Sequence, residues 1–273
     1  MALVGAAVLW GWLLAPGATA QPSFTGTYRD KGHDLRLLQC GRRIVGAITG
    51  FADAEVQGPD LWNGVRATAK GPRAEGAILY AGTDDGIRLQ LEEKGLRLRN
   101  HFGVRLTLSR VDSVEPEVPP ERYGGDGRIE RDGWSVAVPL AWRADRKADP
   151  LVMMGRRGEQ LYVWSVDAED EAGVRTRLDE RLRALGRIAQ GPLTLTPPSR
   201  PLDGEWNRGL GGGLVVRGAQ SRQQSMHVIA LFRPRGRGRG AVMVLGESGP
   251  DSPGCTRHRV ESLAYSILFR RRP

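Results

Sequence analysis

Apolar and polar positions alternate in short runs through the first half of the chain. Leu35 and Leu37 alternate ahead of Gln39-Cys40-Gly41-Arg42, which reads as a turn, and Ile44, Gly46 and Ile48 alternate out of it. The pattern returns over 76–80 and 87–91, on either side of Gly82-Thr83-Asp84-Asp85-Gly86. Leu96 and Leu98 follow Lys94-Gly95, and Val104, Leu106 and Leu108 close the set. A period of two puts successive side chains on opposite faces of a strand. Strands of this length, joined by Gly-containing turns, predict an all-β antiparallel meander over 21–111, arranged as a sandwich or small barrel. Helical periodicity does not persist over ten residues anywhere in it.

The pattern breaks over 112–127, where Pro116, Pro119, Pro120 and Gly124-Gly125-Asp126-Gly127 stand among charges. This composition predicts a Pro/Gly linker or long loop that contributes no core element. From 128 to 273 strands and two helices mix, predicting an α+β unit with helices packed on an antiparallel sheet. Residues 134–138, 151–154 and 161–164 read as strands, followed by 193–195, 214–216, 226–232 and 241–245. Val174, Leu178, Leu182 and Leu185 form one stripe of a helix over 170–186 that ends at Gly186. The last helix starts from Ser252 as N-cap with Pro253 in its first turn. Val260, Leu263, Ala264, Ile267 and Leu268 fall on one face of it, and Arg270, Arg271 and Arg272 follow at its C-terminal end.

Residues 1–20 change the picture of where the chain works. Ala2 to Leu14 is an uncharged apolar run, Pro16-Gly17 interrupts it, and Ala18 and Ala20 give an A-x-A cleavage pattern. This predicts a signal peptide and an exported protein, periplasmic or secreted; a buried N-terminal helix is the other reading of the same run. Thirteen residues fall short of the roughly 20 that span a bilayer, so no transmembrane segment is expected in the mature chain. An oxidising compartment permits a disulfide between the two cysteines, Cys40 and Cys255; two buried, unpaired thiols are the alternative.

Charge supplies the next candidate chemistry. The net charge is +9, and of 40 basic residues only Lys31, Lys70, Lys94 and Lys147 are lysines, so the excess is carried by guanidiniums. No Asp or Glu stands between Glu205 and Glu247, and Arg233, Arg235, Arg237 and Arg239 alternate with Pro and Gly inside that stretch. A hairpin loop there would offer bidentate donors to phosphate or carboxylate groups. No aromatics interleave these arginines to stack bases, which favours anionic polymers or a lipid surface over nucleic acid. In a chain this rich in Arg and Gly, a merely solvated positive loop reads equally from the same residues.

Other motifs fall short of chemistry. Gly246-Glu247-Ser248-Gly249-Pro250 lacks the last Gly of a nucleophile elbow and reads as a turn into the final helix. Cys255 and His258 have one-face helical spacing, and Cys40 and His33 would be needed to complete a zinc site; no second close pair of ligands accompanies them. His227 lies in an apolar strand and reads as a sheet residue. Gly209 to Gly213 precedes a strand rather than a helix, so it reads as a flexible turn and not a dinucleotide loop. No catalytic, metal or cofactor residues are assigned.

Two resemblances follow from the residues. Gly133-Trp134 through Val138-Pro139 to Trp142, with the strand pair, helix and antiparallel run after it, resembles the PsbP-type α/β sandwich family. That likeness implies an antiparallel sheet with packed helices and no shared catalytic set. Phe24-Thr25-Gly26-Thr27-Tyr28, leading into the meander, resembles the opening strand of lipocalin-like barrels, with Tyr28 where that family carries Trp. Together these readings lead to the expectation of an exported, non-catalytic binding or assembly module of the cell envelope. Its partners would be envelope proteins, anionic polymers or a lipid surface. The alternatives are polyanion binding by the Arg233–Arg239 loop and small-ligand carriage inside the N-terminal barrel.

Overall fold

Eight short strands in the first half meet the alternation rule and close on themselves. A computed structural model describes residues 23–50, 63–79, 84–121, 127–131, 133–197, 208–218, 223–234, 239–248 and 252–270. The proposed signal peptide, Arg235 and Arg237 lie outside these residues. The strands are β1 (Gly26–Arg29), β2 (Asp34–Cys40), β3 (Arg43–Ile48), β4 (Asn63–Lys70), β5 (Arg73–Leu79), β6 (Asp84–Glu92), β7 (Gly95–Asn100) and β8 (Arg105–Asp112). Each pairs antiparallel with the next, and β1 pairs with β8, so the meander is a closed up-and-down barrel. Closure removes the free sheet edges that would otherwise template aggregation. In β7, Leu96, Leu98 and Asn100 point inward while Arg97 and Arg99 point out. The interior is packed with apolar side chains such as Phe24, Tyr28, Leu37, Ile44, Ile78 and Leu98, all essentially inaccessible to solvent.

The second half builds two sheets and two helices. In chain order its elements are β9 (Arg128–Arg131), β10 (Trp134–Ala137), β11 (Arg143–Asp145), β12 (Leu151–Met154), β13 (Gln160–Val166), α1 (Glu171–Ala184), β14 (Ile188–Gln190), β15 (Arg208–Arg217), β16 (Gln223–Phe232), β17 (Ala241–Glu247), α2 (Pro253–Tyr265) and β18 (Leu268–Phe269). A seven-stranded sheet runs β11-β12-β13-β17-β16-β15-β14, and a three-stranded sheet runs β18-β10-β9. Every named pairing is antiparallel. On one face of the large sheet α1 buries Val174, Leu178 and Leu182 against Trp164, Val228 and Met243. On the other, α2 and the small sheet bury Val260, Leu263 and Trp134 against Val163, Ile229 and Val244. A fully buried Leu or Val contributes roughly 2 kcal/mol over the exposed state, so each stripe fixes its helix.

The caps agree with the sequence. Asp170 accepts from the Gly173 N–H at 2.8 Å, and Gly186 takes a φ of +67° just past the C-cap of α1. Ser252 accepts from Cys255 N–H at 3.3 Å at the start of α2.

Four expectations change. The last helix stops at Tyr265, because Leu268 and Phe269 leave it to pair with β10 as β18; Leu268 is exposed rather than part of the apolar face. The Gly209–Gly213 run is not a turn but lies inside β15, paired with β16. Its reason is steric: a Cβ on Gly212 would sit 2.3 Å from the Thr194 carbonyl, because 194–196 crosses there and Thr196 bridges Gly211. The strand expected at 193–195 is displaced to β14, five residues earlier. Last, the segment after β8 connects without regular structure but does enter a core: Val118 packs with Leu38, Val45 and Cys255.

Candidate functional site

The barrel is fastened to the α+β part by covalent, ionic and packing contacts that converge on residues 113–121. This stretch is called the strap below. Cys40 ends β2 and Cys255 lies in the first turn of α2; they form a disulfide with 5.7 Å between Cα atoms. It consumes both thiols, so the zinc set considered from the sequence has no thiolate to offer, and His33 instead pairs with Asp30 at 2.9 Å. Glu121, at the strap's end, accepts from Arg43 and, at 2.9 Å, from Arg66, both on the barrel. Its backbone N–H donates to Ser262 Oγ of α2 at 2.9 Å. Glu115 accepts from the Gly254 N–H at 2.9 Å, supplying negative charge to an α2 N-terminus that has no acidic residue in its own first turn.

Above these contacts lies a cleft of about 760 Å³. Its floor is the part of the large sheet that α2 leaves open. Strand register puts Gln190, Val215 and Ser225 in one row across β14, β15 and β16, and Gly213 opposite His227 in the next. One wall is a face along the length of α2, with Arg257, His258, Glu261 and Tyr265. The strap forms the facing wall with Glu117, Val118, Pro119 and Pro120, and Arg36 and Leu38 of the barrel complete it. The cleft therefore exists only because three parts of the chain are held together.

Electrostatics in the cleft are fixed by burial. Arg257 spans the walls, donating to Glu117 at 2.7 Å and to Glu261 at 2.9 Å. Burial raises Glu261 above the usual carboxylate range, opposed by Arg257. Burial pushes His227 down to about 4, and the Arg257 charge adds to this. Burial likewise pushes His258 to about 4, opposed by Glu121, whose carboxylate stands 4.0 Å from Nε2. Both imidazoles are neutral at pH 7. The arrangement offers proline edges, the exposed Val215 on the floor and a salt-bridged rim: a surface suited to holding an extended segment.

The sequence candidates fall elsewhere. Arg233 is engaged structurally, donating to the Gly133 carbonyl at 3.3 Å and stacking 5.7 Å over the Phe269 ring. Arg239 is strongly exposed and stands 3.4 Å from Glu169. The Ser248 hydroxyl accepts from Thr256 Oγ1 at 3.0 Å at the base of α2. Glu247 is held in the sheet by Arg187 at 2.7 Å and Tyr162, whose phenol burial pushes up to about 12. No group of three or more His, Cys, Asp and Glu among the described residues has metal-binding geometry. No helix there is long and apolar enough to cross a membrane.

Sequence reasoning placed Cys40, Cys255, His227 and His258 one by one and did not assemble the cleft. Its signal was available only in part: the acids Glu115, Glu117 and Glu121 sit among prolines at regular short spacing, opposite Arg257 of a helix of otherwise apolar stripe. Compared with known proteins, the chain matches no family model and no curated sequence.

Proposed function

We propose that the protein is an exported binding module of the cell envelope that takes an extended segment of a partner protein into the cleft between barrel, strap and sheet. The observation that carries this reading is the cleft itself, prebuilt and locked by Cys40–Cys255 and by the Glu121 ion pairs. Prebuilt walls reduce the ordering cost of binding. A disulfide of this kind belongs to an oxidising compartment, which supports the export reading of residues 1–20. The eight-stranded up-and-down order supports the lipocalin-like likeness, and the sheet with packed helices supports the PsbP-like one. The filled barrel interior gives little room for the carrier alternative. The polyanion alternative rests on Arg239 among the described residues, since Arg233 is engaged.

The test is site-specific photocrosslinking in cells. A photoreactive residue at Val215, exposed on the cleft floor, is compared with one at Leu140, which is exposed and does not line the cleft. The reading predicts a discrete adduct from position 215 that Ser225→Trp removes, and none from position 140. Equal patterns from both positions, or no adduct from 215, contradict it.

A further inference from the structure

The outer face of β6, β7 and β8 carries charge for which the fold has no use. Strand register sets Arg88 opposite Arg99 and Arg99 opposite Arg105, so three guanidiniums lie in one row across three strands. Like charges directly opposed on a sheet destabilise it. Arg88 has Glu75 at 3.6 Å, and in the adjacent row Arg97 has Glu92 at 2.6 Å. Arg99 and Arg105 are exposed and have no acidic partner among the described residues. Glu75, Asp84, Glu92 and Asp112 are the exposed acids of β5 to β8, against Arg73, Arg88, Arg97, Arg99, Arg105 and Arg110.

The row ends at the hairpin tip His101-Phe102-Gly103-Val104. Phe102 is 80% exposed and Val104 40% exposed. The tip is built rather than slack. Asn100 Oδ1 accepts from the Val104 N–H at 2.7 Å, and Asn100 Nδ2 donates to Asp85 at 2.7 Å. The other Asp85 oxygen accepts from the His101 N–H at 3.2 Å, and both Asp85 and Asn100 are buried. A buried polar pair thus holds an aromatic ring out in water, where its apolar surface is unfavourable. Hairpins of an up-and-down barrel alternate between rims. This tip is therefore on the rim opposite the β2–β3 turn, beside which Cys40 joins the α+β part.

We propose that this rim is a membrane-contact surface for an anionic lipid leaflet. Phe102 and Val104 enter the boundary between headgroups and acyl chains while Arg88, Arg99 and Arg105 meet lipid phosphates. The charge of the row complements anionic headgroups, and the apolar tip at its end distinguishes a lipid surface from a soluble polyanion, which would use the arginines alone. The surface is separate from the cleft, so the two readings stand or fall independently.

The experiment is co-sedimentation of the purified protein with vesicles of phosphatidylcholine, with and without phosphatidylglycerol, at low and moderate salt. The quantities read are binding to the phosphatidylglycerol vesicles and its gain over phosphatidylcholine alone. Arg99→Ala with Arg105→Ala is expected to weaken that gain by roughly fivefold per arginine. Phe102→Ala is expected to weaken binding to the phosphatidylglycerol vesicles by on the order of tenfold. Arg177→Ala with Arg183→Ala, exposed on α1, is expected to leave it unchanged. Phe102→Trp keeps the ring and should show a blue-shifted emission, above the wild-type background, that brominated lipids quench. Loss of binding on the arginine changes with no effect of Phe102→Ala and no quenching at Trp would assign a polyanion site and overturn the proposal. So would binding that ignores phosphatidylglycerol.

Discussion

At neutral pH His227 and His258 sit uncharged in the floor and wall of the cleft, because burial lowers both to about 4. In the unfolded chain each titrates near 6.5. Between these values the unfolded chain binds protons that the folded chain refuses, so stability is full above about pH 6.5 and falls as the pH drops toward 4. A shift of this size corresponds to roughly 3 kcal/mol per histidine at the low end of the window. Thermal melts at pH 7.5 and pH 5 should show a lower Tm at pH 5, and His227→Gln should reduce the difference. A Tm that rises on acidification would mean that the rings carry charge in the fold. The groups around His258 are Glu121, Arg43 and Arg259, so the carboxylate alone does not suffice to hold a proton on it. At the same scale, Glu121→Ala removes the shared partner of Arg43 and Arg66. It should speed hydrogen exchange across 113–121 while leaving β6 and β7 protected; unchanged exchange there would show that Val118 and the disulfide hold the strap alone.

Among the elements, β15 shows most clearly how the chain's pattern and its fold diverge. Gly212→Val would place side-chain atoms where the Thr194 carbonyl stands 2.3 Å from a Cβ. The expected cost is roughly 2 kcal/mol or more, read as a lower denaturation midpoint, because backbone rather than a flexible side chain must move. An unaffected midpoint would mean that 194–196 does not cross there. Sequence reading takes glycines as turn signals, and nothing local reveals that a second piece of backbone lies over them. The same limit hides β4, whose inward positions are Val65, Ala67 and Ala69: small side chains alternate without a strong apolar signal. By contrast β2, β7 and α1 were legible, because Leu at a fixed period against charged or polar residues marks a buried face. The end of α2 was misread because Ile267 and Leu268 continue a helical spacing, while Leu268 and Phe269 pair instead with β10. The cleft was illegible for a different reason. Its residues come from 36–38, 115–120, 190–192, 213–215, 225–227 and 253–265, and only tertiary packing brings them together.

For the whole molecule, the closed barrel and the α+β part are tied beside the β2–β3 turn. The disulfide closes a span of 215 residues, for which loss of chain entropy predicts up to roughly 5 kcal/mol of stabilisation. Cys40→Ser with Cys255→Ser should lower Tm by several degrees and loosen the strap, while the barrel, closed by β1 and β8, keeps its protection from exchange. Uniform loss of protection would mean that the bridge stabilises barrel and sheet alike rather than their junction. Acids from the strap neutralise Arg43, Arg66 and Arg257 at the junction, while Arg99 and Arg105 stand on the outer barrel without an acidic partner among the described residues. Junction and rim thus divide the surface into a locked cleft and a basic face.

The most direct measurement of the central claim is the photocrosslink from Val215, made side by side in the wild type and in the Cys40→Ser, Cys255→Ser chain. A prebuilt cleft predicts one discrete adduct in the wild type and its marked loss once the bridge is gone. The same adduct at the same yield in both chains would contradict the claim that the locked junction forms the binding site.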